Sequence, residues 1–163
     1  MSISSAKLSG KSQALAEAGV RVLSTEIHID ERGDLCELVR ATKHSTEISQ
    51  VYAVRMARGA TRGSHYHKRK YEWFAVVNGC VRLDVFDRMT RKAASVQMGA
   101  STGVIVVGIP PGVSHRFASM KGEDGAGNGH VPVIIAMTNE EFDPSDPDTF
   151  PEPYWQCDYH FEE

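Results

Sequence analysis

From Val20 onward apolar and polar residues alternate with a period of two over much of the chain. That is the pattern of strands with one buried face. Val81–Asp87 (VRLDVFD) shows it most cleanly. Gln50–Ala57 places Val51, Ala53 and Arg55 on one face and Tyr52, Val54 and Met56 on the other. Further strands are expected over Val20–Ile29, Leu35–Arg40, Tyr71–Val77, Ala93–Met98, Gly103–Ile109, His115–Ala118 and Val131–Thr138. Turn residues separate them: Asp30-Glu31-Arg32-Gly33-Asp34, Asn78-Gly79 and Pro110-Pro111-Gly112. Asn78-Gly79 between two apolar runs predicts a tight hairpin, because both residues accept φ > 0. The segment from Glu140 carries Pro144, Pro147, Pro151 and Pro153. Proline cannot donate to a ladder, so this tail is expected to lie extended across the outside of a sheet, anchored by Tyr154, Trp155 and Phe161. Residues 1–19 read as a loosely held arm in which Ser12–Ala18 offers one or two helical turns, and Lys121–Gly129 as a flexible loop. Many short strands at close spacing predict an all-β sandwich or barrel, one domain over residues 20–163.

Composition excludes more than it identifies. With 41% hydrophobic and 24% charged residues in 163, the chain is neither fibrous nor disordered. Lys and Arg number 18 against 21 Asp and Glu, a net charge of -3, so there is no basic field for gripping nucleic acid. The longest apolar runs, Val104–Val107 and Val133–Met137, are strand-sized, so no membrane association is expected. Cys36, Cys80 and Cys157 are far apart and odd in number, which fits a reducing cytoplasm rather than a disulfide framework.

The candidate chemistry lies in Gly59-ATRGS-His65-Tyr66-His67-KRKY-Glu72-WFAVVN-Gly79. His65 and His67 are two apart on an extended chain, so both side chains leave the same face. If the four-residue gap turns the chain, Glu72 lies beside them on the next strand. His115 follows the Pro-Pro-Gly turn and offers a third imidazole. Three imidazoles and one carboxylate suit a borderline divalent ion: zinc first, with iron, nickel or manganese as alternatives.

This stretch matches the cupin motif Gly-x5-His-x-His-x3–4-Glu-x6-Gly at every position. The second cupin motif is matched at Pro110, Gly112 and His115 and departs at Gly103, one residue too far, and at Ser119, where the motif has Asn. The chain thus resembles the cupin superfamily, which implies a jelly-roll β-barrel with His65, His67, Glu72 and His115 as metal ligands. Asp30-Glu31-Arg32-Gly33 with Glu37, and Arg62-Gly63-Ser64-His65-Tyr66, are similar to elements of the dTDP-4-keto-6-deoxysugar 3,5-epimerases. That likeness implies substrate contacts at Arg32, Glu37 and Arg62 and a general base at His65. Where that family carries Gln and Lys, this chain has His67 and Glu72, which make the site metal-competent. His65 cannot serve at once as ligand and free base. The longest resemblance, over residues 50–150, is to the C-terminal zinc-binding cupin domain of capsular-polysaccharide UDP-sugar epimerase/reductases. It rests on His65–Gly79, Ile109–His115 and Asn139–Thr149.

Together these resemblances imply a metal-dependent epimerase inverting C3 or C5 of a nucleotide-linked 4-ketohexose, and a homodimer in which Arg32 and Glu37 serve the neighbour's site. Arg32, Arg62 and Lys70 are candidate cations for the diphosphate, with Asn139 at the strand end beside it. The general base is not identifiable; Glu140, Asp84 and Tyr66 are its candidates, although Tyr66 alternates away from the ligand face. Competing readings are a cupin oxygenase or isomerase acting on a small molecule, a metal-free sugar-nucleotide 3,4-ketoisomerase, and a non-catalytic sugar-binding cupin.

Overall fold

The structure is a computed structural model that describes residues 9–23, 25, 27–44, 47–99, 104–120 and 131–156. Residues 1–8 of the expected arm, Gly103, the Lys121–Gly129 loop, Cys157 and the Phe161 anchor lie outside the described residues.

A helix, α1 (Ser9–Glu17), leads into β1 (Arg21–Leu23). β2 (Ile27–Asp30) and β3 (Gly33–Cys36) pair with each other alone. The one-turn helix α2 (Ala41–His44) precedes β4 (Gln50–Arg55). Then come β5 (Thr61–Tyr66), β6 (Glu72–Asn78), β7 (Cys80–Asp87), β8 (Ala93–Gly99), β9 (Val106–Ile109) and β10 (Val113–Ser119). The described chain ends with β11 (Val133–Thr138), β12 (Phe150–Pro151) and a 3-10 turn over Pro153–Gln156. The strands form two five-stranded antiparallel sheets, β1-β9-β6-β11-β4 and β12-β5-β10-β7-β8. The expected all-β, cupin-like jelly roll is therefore the observed architecture.

Alternation decides the core. Val81, Leu83 and Val85 of β7, Phe74 and Val76 of β6, Ile134 and Ala136 of β11 and Phe117 of β10 meet in one cluster. A second cluster of Leu23, Trp73, Ala75, Val106 and Met137 is covered by Leu38, Val39 and Ile48. The Trp73 ring lies so close over Gly108 that a Cβ there would sit 2.3 Å from it. Elsewhere Tyr154 stacks on Phe86 at 4.0 Å, and the Trp155 Nε1–H donates to Ser114 Oγ at 2.5 Å. The proline-rich tail thus runs along the second sheet as expected, and β12 extends that sheet beside β5.

Two expectations change. Ser9–Glu17 is a helix, and Leu15, Ala18 and Val20 are buried in the main core. Burying Leu15 contributes about 2 kcal/mol, which a helix this short needs because its own propensity is marginal. Asn78-Gly79 does not close a hairpin between paired strands: β6 belongs to the first sheet and β7 to the second. Gly79 does take positive φ (70°), and a Cβ there would lie 2.9 Å from Pro132 Cα. The dipeptide signals a sharp backbone reversal, but strand partners are chosen by long-range burial, and here the chain crosses between sheets.

Candidate metal centre

His65 lies on β5, His67 just beyond it, Glu72 at the start of β6 and His115 on β10. One potential ligand atom from each converges so that all four lie within 4.8 Å of one another. His65 sits 4.9 Å, ring centre to ring centre, from both His67 and His115. Glu72 Oε2 is 3.1 Å from His67 Nε2 and 3.3 Å from His115 Nε2.

A bulge makes this convergence possible. His65 pairs with His115, yet Gly63 pairs with the next residue, Arg116, so Ser64 is an extra residue in β5. Gly63 and Ser64 both have positive φ, 90° and 64°. A Cβ on Gly63 would lie 2.8 Å from the carbonyl oxygen of His115. Strict alternation would send Arg62 and His65 to opposite faces. The extra residue shifts the phase, and both line the same cavity, Arg62 while still exposed.

Burial and charge set the protonation states. His115 is pushed down to about 4, first by burial. Burial likewise lowers His65, helped by neighbouring His67. For His67 burial acts the same way, but the adjacent Glu72 carboxylate outweighs it and raises the value. Burial would raise Glu72, yet the surrounding imidazoles hold it below its ordinary value. His67 Nε2, Glu72 Oε2 and His115 Nδ1 are buried without a hydrogen-bond partner. Orphaned atoms on two imidazoles and one carboxylate, with the His65 imidazole beside them, fit a divalent cation.

Two cavities meet at the cluster and share Tyr52, His65 and Glu72. The larger, about 350 Å³, is also lined by Gln50, Lys70, Glu140 and Phe142. The smaller, about 130 Å³, is walled by Val54, Phe74, Phe117 and Ile134, with Arg62 among its lining residues.

Several expected site residues fall here and others do not. Lys70, although a lysine, is buried; its Nζ donates to the Pro147 carbonyl at 2.9 Å, so it is not a solvated surface charge. Glu140 lines the larger cavity and is ion-paired with Arg69 at 2.9 Å. Asn139 lines neither cavity; its Oδ1 accepts the Tyr71 N–H at 2.8 Å and braces the chain before Glu72. Tyr66 stacks on Phe150 at 5.4 Å under the Arg88 guanidinium, a packing role, and lines neither cavity. Asp84 alternates out of step with core residues Leu83 and Val85, is enclosed by Arg82, Arg116 and Ser95, and lines neither cavity. Arg32 and Glu37 belong to the hairpin segment; Arg32 pairs with Asp30, Glu37 with Arg40, and neither lines either of these two cavities.

Tyr52 was not singled out from the sequence. It lines both cavities, and burial, reinforced by the Glu72 charge, pushes its hydroxyl up to about 12. The alternation of β4 groups Tyr52 with Val54, but alternation alone does not say which face is interior.

Among the described residues no helix is long and apolar enough to cross a membrane. The chain is 30% identical over 124 residues to a UDP-2-acetamido-2,6-beta-L-arabino-hexul-4-ose reductase of Pseudomonas aeruginosa, covering 76% of this chain and 30% of that one. It therefore spans under a third of that relative's length. Its fold is similar to that of QdtA, a sugar 3,4-ketoisomerase of Thermoanaerobacterium thermosaccharolyticum solved with TDP (TM-score 0.65, 18% identity, 83% of this chain and 90% of that one). It is similar also to ChmJ, a 3'-monoepimerase of Streptomyces bikiniensis solved with dTDP-quinovose (TM-score 0.67, 21% identity, 78% and 67% covered). A family model described as the polysaccharide biosynthesis C-terminal domain matches residues 28–150, and the chain belongs to that family.

Proposed function

We propose that the chain is a metal-dependent epimerase that inverts a carbon next to the ketone of a nucleotide-linked 4-ketohexose. The observation that carries this reading is the meeting of four metal-competent groups with two adjoining cavities that share the Tyr52 phenol. Such inversion removes a weakly acidic C–H proton beside the carbonyl and returns one to the opposite face. His65, His67, Glu72 and His115 would hold the ion, which when bound supplies Lewis-acid polarisation of a substrate oxygen. Tyr52 keeps its proton at neutral pH and is the donor candidate. Lys70 and Arg62, one in each cavity, supply positive charge for the diphosphate.

The fold likeness to a 3,4-ketoisomerase supports a second reading, ketone transposition without metal. The convergence of four metal-competent groups, three of them buried, favours the first. Two measurements separate them. Purified protein should carry about one divalent ion per chain, zinc foremost, and lose turnover when chelated. With a UDP- or dTDP-4-keto-6-deoxyhexose in heavy water, deuterium should enter at C3 or C5 with the ketone still at C4. A ketone found at C3, or full activity after chelation, rejects the epimerase reading.

The β2–β3 hairpin exposes Ile29 (72%) and Leu35 (59%) and, among the described residues, pairs with no other strand, which supports the homodimer reading with Arg32 and Glu37 facing a neighbour's cavity.

A further inference from the structure

The acidic, proline-rich stretch from Asn139 to Thr149 is conspicuous in sequence and unused by the chemistry above. Within it Asp148 is 2% exposed and has a left-handed backbone (φ 46°). Its carboxylate accepts three consecutive backbone N–H groups: Oδ1 from Lys68 at 3.1 Å, and Oδ2 from Arg69 at 2.9 Å and Lys70 at 3.0 Å. Its own carbonyl oxygen is in hydrogen-bond contact with His67 Nδ1. These three amides belong to the short link between His67 and Glu72, so one distant residue grips both the link and the imidazole that begins it.

We propose that Asp148 is a positioning residue for the tetrad: its carboxylate shapes the 68–70 link, and its carbonyl holds the proton of His67 on Nδ1 so that Nε2 presents its lone pair beside Glu72. Three N–H donors in a row leave little freedom to a link of four residues, since buried amides need partners. A carbonyl accepts and cannot donate, so its partner Nδ1 must carry the hydrogen; this selects one tautomer. Outer partners of this kind tune metal affinity without touching the ion. The anchor lies about 80 residues along the chain from the groups it holds, so the tail doubles as part of the site's frame.

The inference rests on the metal reading only for its affinity arm. Asp148→Gly tolerates the positive φ and deletes the carboxylate; Asp148→Asn also tolerates it and keeps one acceptor oxygen. Zinc affinity of the full chain is read by competition with a chelating dye. The ring nitrogens of the apoprotein are read by long-range proton–nitrogen NMR, and folding by thermal melting. Asp148→Gly should lose about 10- to 100-fold in zinc affinity and Asp148→Asn less. In the apoprotein, at a pH above the raised value of His67 where the ring is neutral, His67 should change from a single Nδ1–H tautomer to a mixture in the glycine variant. Wild-type affinity and an unmixed His67 in both variants overturn the proposal, even if their melting temperatures drop. If the unmutated protein takes up no divalent ion, the metal reading fails, and the His67 tautomer alone decides the role of Asp148.

Discussion

Tyr52 and His115 show how much a single side chain's chemistry depends on what surrounds it. With its hydroxyl held up to about 12 by burial and the Glu72 charge, Tyr52 can give a proton but does not store negative charge. Tyr52→Phe should lower kcat by about 10²- to 10⁴-fold. Metal content should be unchanged, and solvent deuterium should still enter the recovered substrate; turnover near the wild-type rate would remove Tyr52 from the reaction. His115, buried and depressed to about 4, makes stability pH-dependent. Between its unfolded value of 6.5 and about 4, the unfolded chain binds a proton that the folded chain does not, so stability falls as pH falls. A shift of that size amounts to about 3 kcal/mol. His65 acts in the same direction. His67, with its raised value, opposes them: its contribution is full below 6.5 and is lost as pH rises through its folded value. Urea unfolding of chelated protein at pH 7 and pH 4.5 should show the net loss, and His115→Gln should flatten it. An unchanged slope in that variant contradicts the assignment. The three clustered histidines and Glu72 were legible as residues because their spacing is a motif. Tyr52 was not, because nothing in QVYAVR says which side of the strand faces in.

At the level of the element, the β5 bulge does the most for the site. Gly63 is needed there twice, for its φ of 90° and for its approach to the His115 carbonyl. Gly63→Ala should destabilise the fold by about 1–3 kcal/mol. It should also weaken metal binding, whereas Ser64→Gly, which relieves a left-handed serine, should leave binding intact. Denaturant melts and metal titration of the two variants check this, and a silent Gly63→Ala would mean that the strand accommodates a regular register. Strands were legible as elements because period-two burial is a local pattern. The Asn78-Gly79 hairpin does not form for the opposite reason: a two-residue signal reports backbone direction, while pairing joins β6 to β9 and β11, and β7 to β8 and β10. Helix α1 was underestimated because its anchor, Leu15, matters only once a core exists to receive it.

For the whole molecule, the exposed β2–β3 hairpin and the positions of Arg32 and Glu37 away from their own chain's cavities lead to the expectation of a two-chain assembly. Sedimentation should give about twice the mass of one 17.9 kDa chain. Arg32→Ala should raise KM for the nucleotide sugar without breaking the dimer; a monomer with full activity would exclude the shared site. The all-β fold, the grouping of His65, His67, Glu72 and His115 and the outside course of the tail were legible in the chain, because alternation, motif spacing and proline's missing donor act over a few residues. Only the assembled fold puts Arg62 and His65 on one cavity, keeps Asp84 and Tyr66 off it, and brings Asp148 to the link after His67. Those outcomes depend on strand register and on contacts between residues tens of positions apart, where burial of the whole chain, rather than any local preference, selects the arrangement.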